Sequence, residues 1–245
     1  IFMFEFVGDF FNYFLYFPLF NGLVFFYNYL GKDFGVAIIA LTVVIRLILY
    51  PLTVKALKSQ KALQGLQAQL QEIQRQHKTD KEKQAKETLE LYKREKINPF
   101  SGLFLALIQL PVLIVLYKVF WNGLNPGELQ YLYSFIANPG QINAVSLGLI
   151  NLSEPNWVFA IVAGILQFFQ TKMLLPEKPK TKTAGGGPAD ISVMMQKQMT
   201  YLFPIITVII LFRLPSALGL YWIISSALSI AQQYFILKKS NNDGK

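Results

Sequence analysis

Apolar runs close to the length that an α-helix needs to cross a hydrocarbon core roughly 30 Å thick recur along this chain. Five are read as spans: residues 34–54, 99–120, 157–175, 199–213 and 217–237. The last two share one apolar stretch, interrupted at Arg213-Leu214-Pro215-Ser216, which reads as a tight hairpin. Only 15% of residues are charged and 53% are hydrophobic, whereas a soluble domain usually has about a quarter charged. The pattern implies an all-α integral membrane protein. Pro51, Pro111 and Pro204 do not exclude these spans, because membrane helices tolerate proline.

Orientation follows from lysine and arginine. Residues 55–98 hold eleven of the 23 basic side chains, and 176–198 hold four. The connection 121–156 holds none, and the tail 238–245 adds Lys238, Lys239 and Lys245. Five spans then place the N-terminus outside and the C-terminus in the cytoplasm.

Residues 1–30 carry Glu5, Asp9, Asn12 and Tyr16 at helical spacing, with Phe2, Phe6, Phe10, Phe14 and Phe17 largely on other faces. That suits an amphipathic helix lying in the membrane interface. A sixth span over 10–30 is the competing reading; it needs a turn within Gly31-Lys32-Asp33. No ordinary signal peptide opens the chain, since Glu5 and Asp9 stand where a basic flank belongs.

The basic segment 55–98 is patterned. Leu63, Leu66, Leu70 and Ile73 form one stripe on a helix. Thr79-Asp80-Lys81-Glu82 fits a capping box that starts a second helix, and Leu89 and Tyr92 turn back towards the first. The expectation is a cytoplasmic helical hairpin, either a solvated spacer or a docking surface for lipid headgroups, ribosome or another chain. Residues 176–198 read as a flexible loop, because Pro176, Pro179, Pro188 and Gly185-Gly186-Gly187 oppose regular structure.

Arg46 lies near the middle of the first span, between Val43-Val44-Ile45 and Leu47-Ile48-Leu49. A central arginine costs about 2.5–3.5 kcal/mol on insertion scales. No aspartate or glutamate falls inside the five spans to compensate it. Arg46 either snorkels to headgroups or faces a wet cavity inside the bundle. Thr42, Gln109, Gln167, Gln170, Tyr221, Trp222, Ser225 and Ser226 are candidates for the same cavity. Each taken alone also suits an ordinary helix–helix hydrogen bond.

The chain has no cysteine, and its one histidine, His77, sits in a polar stretch. Thiolate chemistry and histidine-centred metal or catalytic sites are thereby excluded, and no cofactor is expected. A proton-driven transporter usually places acids in the membrane, and repeated halves are common in transporters. A solute transporter or channel remains the alternative to what the residues suggest next.

The run 34–53, with its arginine followed by Tyr50-Pro51-Leu52-Thr53, resembles the first core helix of the YidC-type membrane insertase family. So do Leu91-Tyr92-Lys93 through Asn98-Pro99, and Gln109-Leu110-Pro111 with Leu116-Tyr117. Ala163-Gly164 with Gln170-Thr171-Lys172, and Leu220-Tyr221-Trp222 with Ala231-Gln232-Gln233-Tyr234, complete an ordered match over about residues 8–239. The resemblance implies a five-helix core in a bacterial cytoplasmic membrane, with a groove open to cytoplasm and lipid. Arg46 matches the groove arginine that receives polar parts of client chains; Gln170 and Trp222 match other groove positions. Implied partners are nascent membrane proteins and lipid, with the ribosome and a larger translocon as further candidates. No sequence-specific nucleic-acid binding is implied, and no enzymatic step. Gram-negative members carry a large external domain near the N-terminus, so this chain resembles the compact form or a trimmed part of a longer one. The run Gly185-Gly186-Gly187 departs from the family pattern.

Overall fold

The computed structural model describes residues 9, 11–98, 101–122, 126–173 and 188–242, with side chains described at all of these except 101–110, 126, 188–197, 199 and 237–242. Residues 176–187 of the expected loop, the first eight residues and the last three lie outside the described residues, whereas 188–198, also expected as loop, are helical.

The architecture is helical. A π-helical turn, Asn12–Tyr16, runs into α1 (Phe17–Tyr29). There follow α2 (Phe34–Ile48), α3 (Tyr50–Gly65), α4 (Gln67–Gln76), α5 (Lys81–Arg94) and α6 (Ser101–Asn122). A 3-10 turn (Pro126–Tyr131) and a short antiparallel pair, β1 (Val145–Ser146) with β2 (Ile150–Asn151), precede α7 (Trp157–Lys172). Two long helices, α8 (Pro188–Leu211) and α9 (Ser216–Asn242), complete the chain.

The first apolar run is not one straight helix. α2 ends at Ile48 and α3 leaves it at 60°. Pro51 explains the break: it has no N–H to donate to the Leu47 carbonyl, and its ring crowds that carbonyl. Among the described residues no single helix is long and apolar enough to cross a membrane; the bent pair α2–α3 passes that test together. Shorter apolar helical stretches are Pro111–Asn122, Trp157–Lys172 and Thr200–Leu211.

One core joins α1, α2, α6, α7 and α9. Phe20, Leu23 and Val24 of α1 meet Phe34, Ala37 and Ile38 of α2, Val115, Leu116 and Val119 of α6, Ala160 and Ala163 of α7, and Leu218 of α9. α2 packs against both α1 and α9; α7 packs against α8 and α9. The α7–α8 contact is close because residue 164 is glycine. A Cβ there would stand 2.3 Å from Val208 Cγ2 and 3.3 Å from the Pro204 carbonyl oxygen. Small residues let membrane helices approach in this way.

Outside this core the surface is unusually apolar. Leu47, Ile48, Ile165, Phe169, Leu202, Ile205 and Ile209 are all exposed. A soluble monomer rarely exposes contiguous apolar surface on this scale, so a lipid solvent accounts for it.

One end of the bundle is closed by a cap. Asp33 starts α2, accepting from the Val36 N–H at 2.9 Å, and the same carboxylate holds Ser146 Oγ at 2.8 Å and the Leu147 N–H. The Ser216 and Ala217 N–H groups donate to the Glu154 and Leu152 carbonyls at 2.8 and 3.0 Å. α1 is tied to the same loop along its length. Tyr16 donates to Glu128 at 2.6 Å, and Asn21 donates to the Tyr131 carbonyl and accepts from the Tyr133 N–H at 3.0 and 2.7 Å. Further along, Asn28 donates to the Ala137 carbonyl at 2.7 Å. Tyr16 was placed on a polar face by its spacing from Asn12, yet it is buried. Burial, then the Glu128 carboxylate, hold its phenol well above the ordinary tyrosine range.

Away from the cap, α4 and α5 form a hairpin with its own small core of Leu66, Leu70 and Leu91, flanked by Ile73, Tyr92 and Ile97. Asp80 is the N-cap of α5 and accepts from Lys83 N–H at 2.9 Å. The cap thus falls one residue beyond Thr79. His77 meets Glu87 at 2.9 Å beside the turn.

Candidate functional site

Arg46 stands in the last turn of α2 rather than at mid-helix. That position places a cation at the negative end of the helix dipole, where it is favoured. It also lies thirteen residues, or about 20 Å along a helix, from the Asp33 cap. Its Nε donates to Ser225 Oγ of α9 at 2.9 Å, and its second terminal nitrogen donates to the same oxygen. Tyr221, one turn earlier on α9, lies within electrostatic reach. Among the described residues Arg46 makes no ion pair; the three present are all in the α4–α5 hairpin region. A guanidinium has five N–H donors, so a single serine oxygen leaves most of its capacity for something else.

The other candidates are arranged unequally. Ser225, Tyr221 and Ser226 are buried on α9, and Trp222 packs at the edge of the core. Thr42 is buried one turn from Arg46, but its hydroxyl donates to the Ile38 carbonyl at 2.6 Å. Its donor is used within its own helix, while its oxygen can still accept. Gln167 is buried on the inner face of α7 with its Oε1 unpaired, while Gln170 is partly buried one turn on. Gln109 belongs to the stretch of α6 whose side chains lie outside the described residues.

Three polar side chains of α9 were not singled out as candidates from the sequence. Ser229 and Gln233 are each 3% exposed, and Ser229 Oγ, Gln232 Oε1 and Gln233 Oε1 are buried without partners. The signal was available. Tyr221, Ser225, Ser229 and Gln233 step by four, which is one face of a helix.

The site is chemically simple. It offers one cation, hydroxyls and amides, and among the described residues there is no cluster of His, Cys, Asp or Glu that could hold a metal ion. Such a set binds and releases polar groups by hydrogen bonds and charge.

Residues 25–243 match the model of the family described as 60Kd inner membrane protein. A protein named membrane protein insertase YidC from Fusobacterium nucleatum is 35% identical over 212 residues, covering 86% of this chain and 89% of the relative. Relatives of the same name from Nitratidesulfovibrio vulgaris and Geobacter sulfurreducens are 35% and 33% identical. This chain spans only 38% and 36% of their lengths. Matched over nearly its whole length by the family model and by a relative of similar size, the chain belongs to the 60Kd inner membrane protein family.

Proposed function

We propose that this chain is a membrane protein insertase of the bacterial inner membrane, which receives polar segments of client chains beside Arg46 and releases their apolar segments sideways into lipid. The observation that carries the reading is Arg46 itself: a cation set among apolar helices, held by one hydroxyl and, among the described residues, in no ion pair. Charge placed in a membrane at such cost marks a functional position. The names of the relatives support the same activity.

Five segments cross the bilayer in this reading: the bent pair α2–α3, then α6, α7, α8 and α9. The Asp33 end, closed by the loop through Ser146 and Glu154, faces outside; the end beyond Arg46 faces the cytoplasm, as the basic side chains of 55–98 favour. Support for the π-helical turn and α1 as one interfacial helix comes from its two ends. Asn12 meets Lys118 near the end of α6, and Tyr27 meets the Asn143 N–H in the loop over α2. Both ends therefore lie at the level of the cap, which suits a helix lying across the bundle.

A client would first meet the α4–α5 hairpin, then slide its polar segment towards Arg46. Burial of its apolar segment in lipid drives the exit. No bond is made or broken. The decisive experiment places a photo-crosslinking residue at 46 and presents a single-span client to the protein in liposomes. Crosslinks to the client's leading polar segment support the route; insertion without crosslinks removes Arg46 from it.

A further inference from the structure

Arg46 supplies donors only, but an extended chain in a site shielded from water must pair both its carbonyls and its N–H groups. The acceptors lie on the same face of α9, further from the cap. At 3.6 residues per turn, positions 221, 225, 229, 232 and 233 fall within roughly 120° of one another, and 225 to 233 covers about 12 Å. Ser229 Oγ, Gln232 Oε1 and Gln233 Oε1 are buried there without partners.

Gln167 Oε1, also unpaired, belongs to the same level. α7 and α9 both start at the cap, and Phe159 touches Gly219 there. Eight residues on from each contact bring Gln167 beside positions 226–229. Leaving a buried acceptor unmet is unfavourable, and native structures hold few such groups. Several on one face, continuous with Arg46, indicate a surface that is completed by something bound.

We propose that Ser229 and Gln233, with Gln167 and Gln232 beside them, bind the peptide N–H groups of a client's extended polar segment while Arg46 takes its carbonyl or carboxylate oxygens. The groove then holds a backbone from both sides, which a cation alone does not do. This rests on the insertase reading.

The test uses the full chain in liposomes, with protease protection of a single-span client as readout. One client carries a neutral Gly/Ser leading segment and a second carries one lysine in it. If the unaltered chain inserts neither, the insertase reading itself fails. The double variant Ser229→Ala/Gln233→Leu is expected to insert both clients about fivefold more slowly, the effect of about one lost hydrogen bond. Loss confined to the lysine client would overturn the assignment to peptide N–H in favour of an ammonium group. Unchanged insertion of both would overturn the proposal outright. Since the natural chain has no cysteine, Gln233→Cys gives a unique thiol for a second measurement. Disulfide formation with a cysteine in the neutral leading segment is expected, and insertion without it would refute the contact.

Discussion

The Arg46 guanidinium holds the Ser225 hydroxyl with two of its nitrogens, Nε at 2.9 Å, across 179 residues of sequence. This contact fixes the cation against α9 and leaves its remaining donors available. Arg46→Ala is expected to slow insertion of clients with acidic leading segments about tenfold more than neutral ones, roughly the effect of one charge-assisted hydrogen bond. Arg46→Lys should retain part of the difference. Equal slowing of both client types would mean that Arg46 does not read the charge of the leading segment.

Ser225→Ala removes the partner and not the charge. A loss of about 1 kcal/mol in unfolding free energy is expected, in line with hydrogen bonds between membrane helices. Unfolding in detergent, followed by circular dichroism, measures it.

Asp33 makes the cap sensitive to acid. Burial pushes its carboxyl up, but the Leu147 and Val36 N–H groups and the Ser146 hydroxyl outweigh burial and hold it below the ordinary 3.8. A depressed folded-state pKa contributes stability that is present above the unfolded value and lost as pH falls through the folded one. Asp33→Asn should therefore lower the thermal midpoint at pH 7, and the gap from the natural chain should narrow below about pH 4. A gap independent of pH would exclude the carboxylate as its source.

Gly164→Leu forces α7 and α8 apart, because Val208 is branched at Cβ and already stands 2.3 Å from where a Cβ would lie. Overpacking of this kind costs about 1–3 kcal/mol. Disulfide pairing between cysteines placed on facing turns of the two helices should fall in the variant.

Pro51→Ala restores an N–H able to reach the Leu47 carbonyl and should reduce the 60° bend. Spin labels at positions 40 and 61, one on each arm, should move apart in a pulsed distance measurement. An unchanged distance would mean that packing of α3 on α6, rather than proline, sets the angle.

Much of the helical class was legible because lipid leaves a chain few choices: apolar runs of this length satisfy their backbone only as helices or closed barrels. The cluster around Arg46 was legible only in part. Thr42 shares a face with Arg46, and its hydroxyl proton goes to the Ile38 carbonyl, a choice that spacing alone does not fix. Gln233 enters the sequence reading only as part of the family match and Ser229 not at all, although the four-residue rhythm through Tyr221 and Ser225 points to both.

The sequence by itself determined the helical class, the excess of basic residues in 55–98, the lack of thiol chemistry and the presence of an arginine in an apolar run. These are local properties, set by composition and period. Only the tertiary structure decided that Pro51 turns the first run by 60°, that Arg46 meets Ser225, and that Asp33 holds the loop at Ser146. Each of the two side-chain contacts joins residues more than a hundred positions apart, and beyond the bend α3 packs on α6. Which helices pack together, and at what angle, depends on the whole set of side chains at their interfaces and not on any one segment.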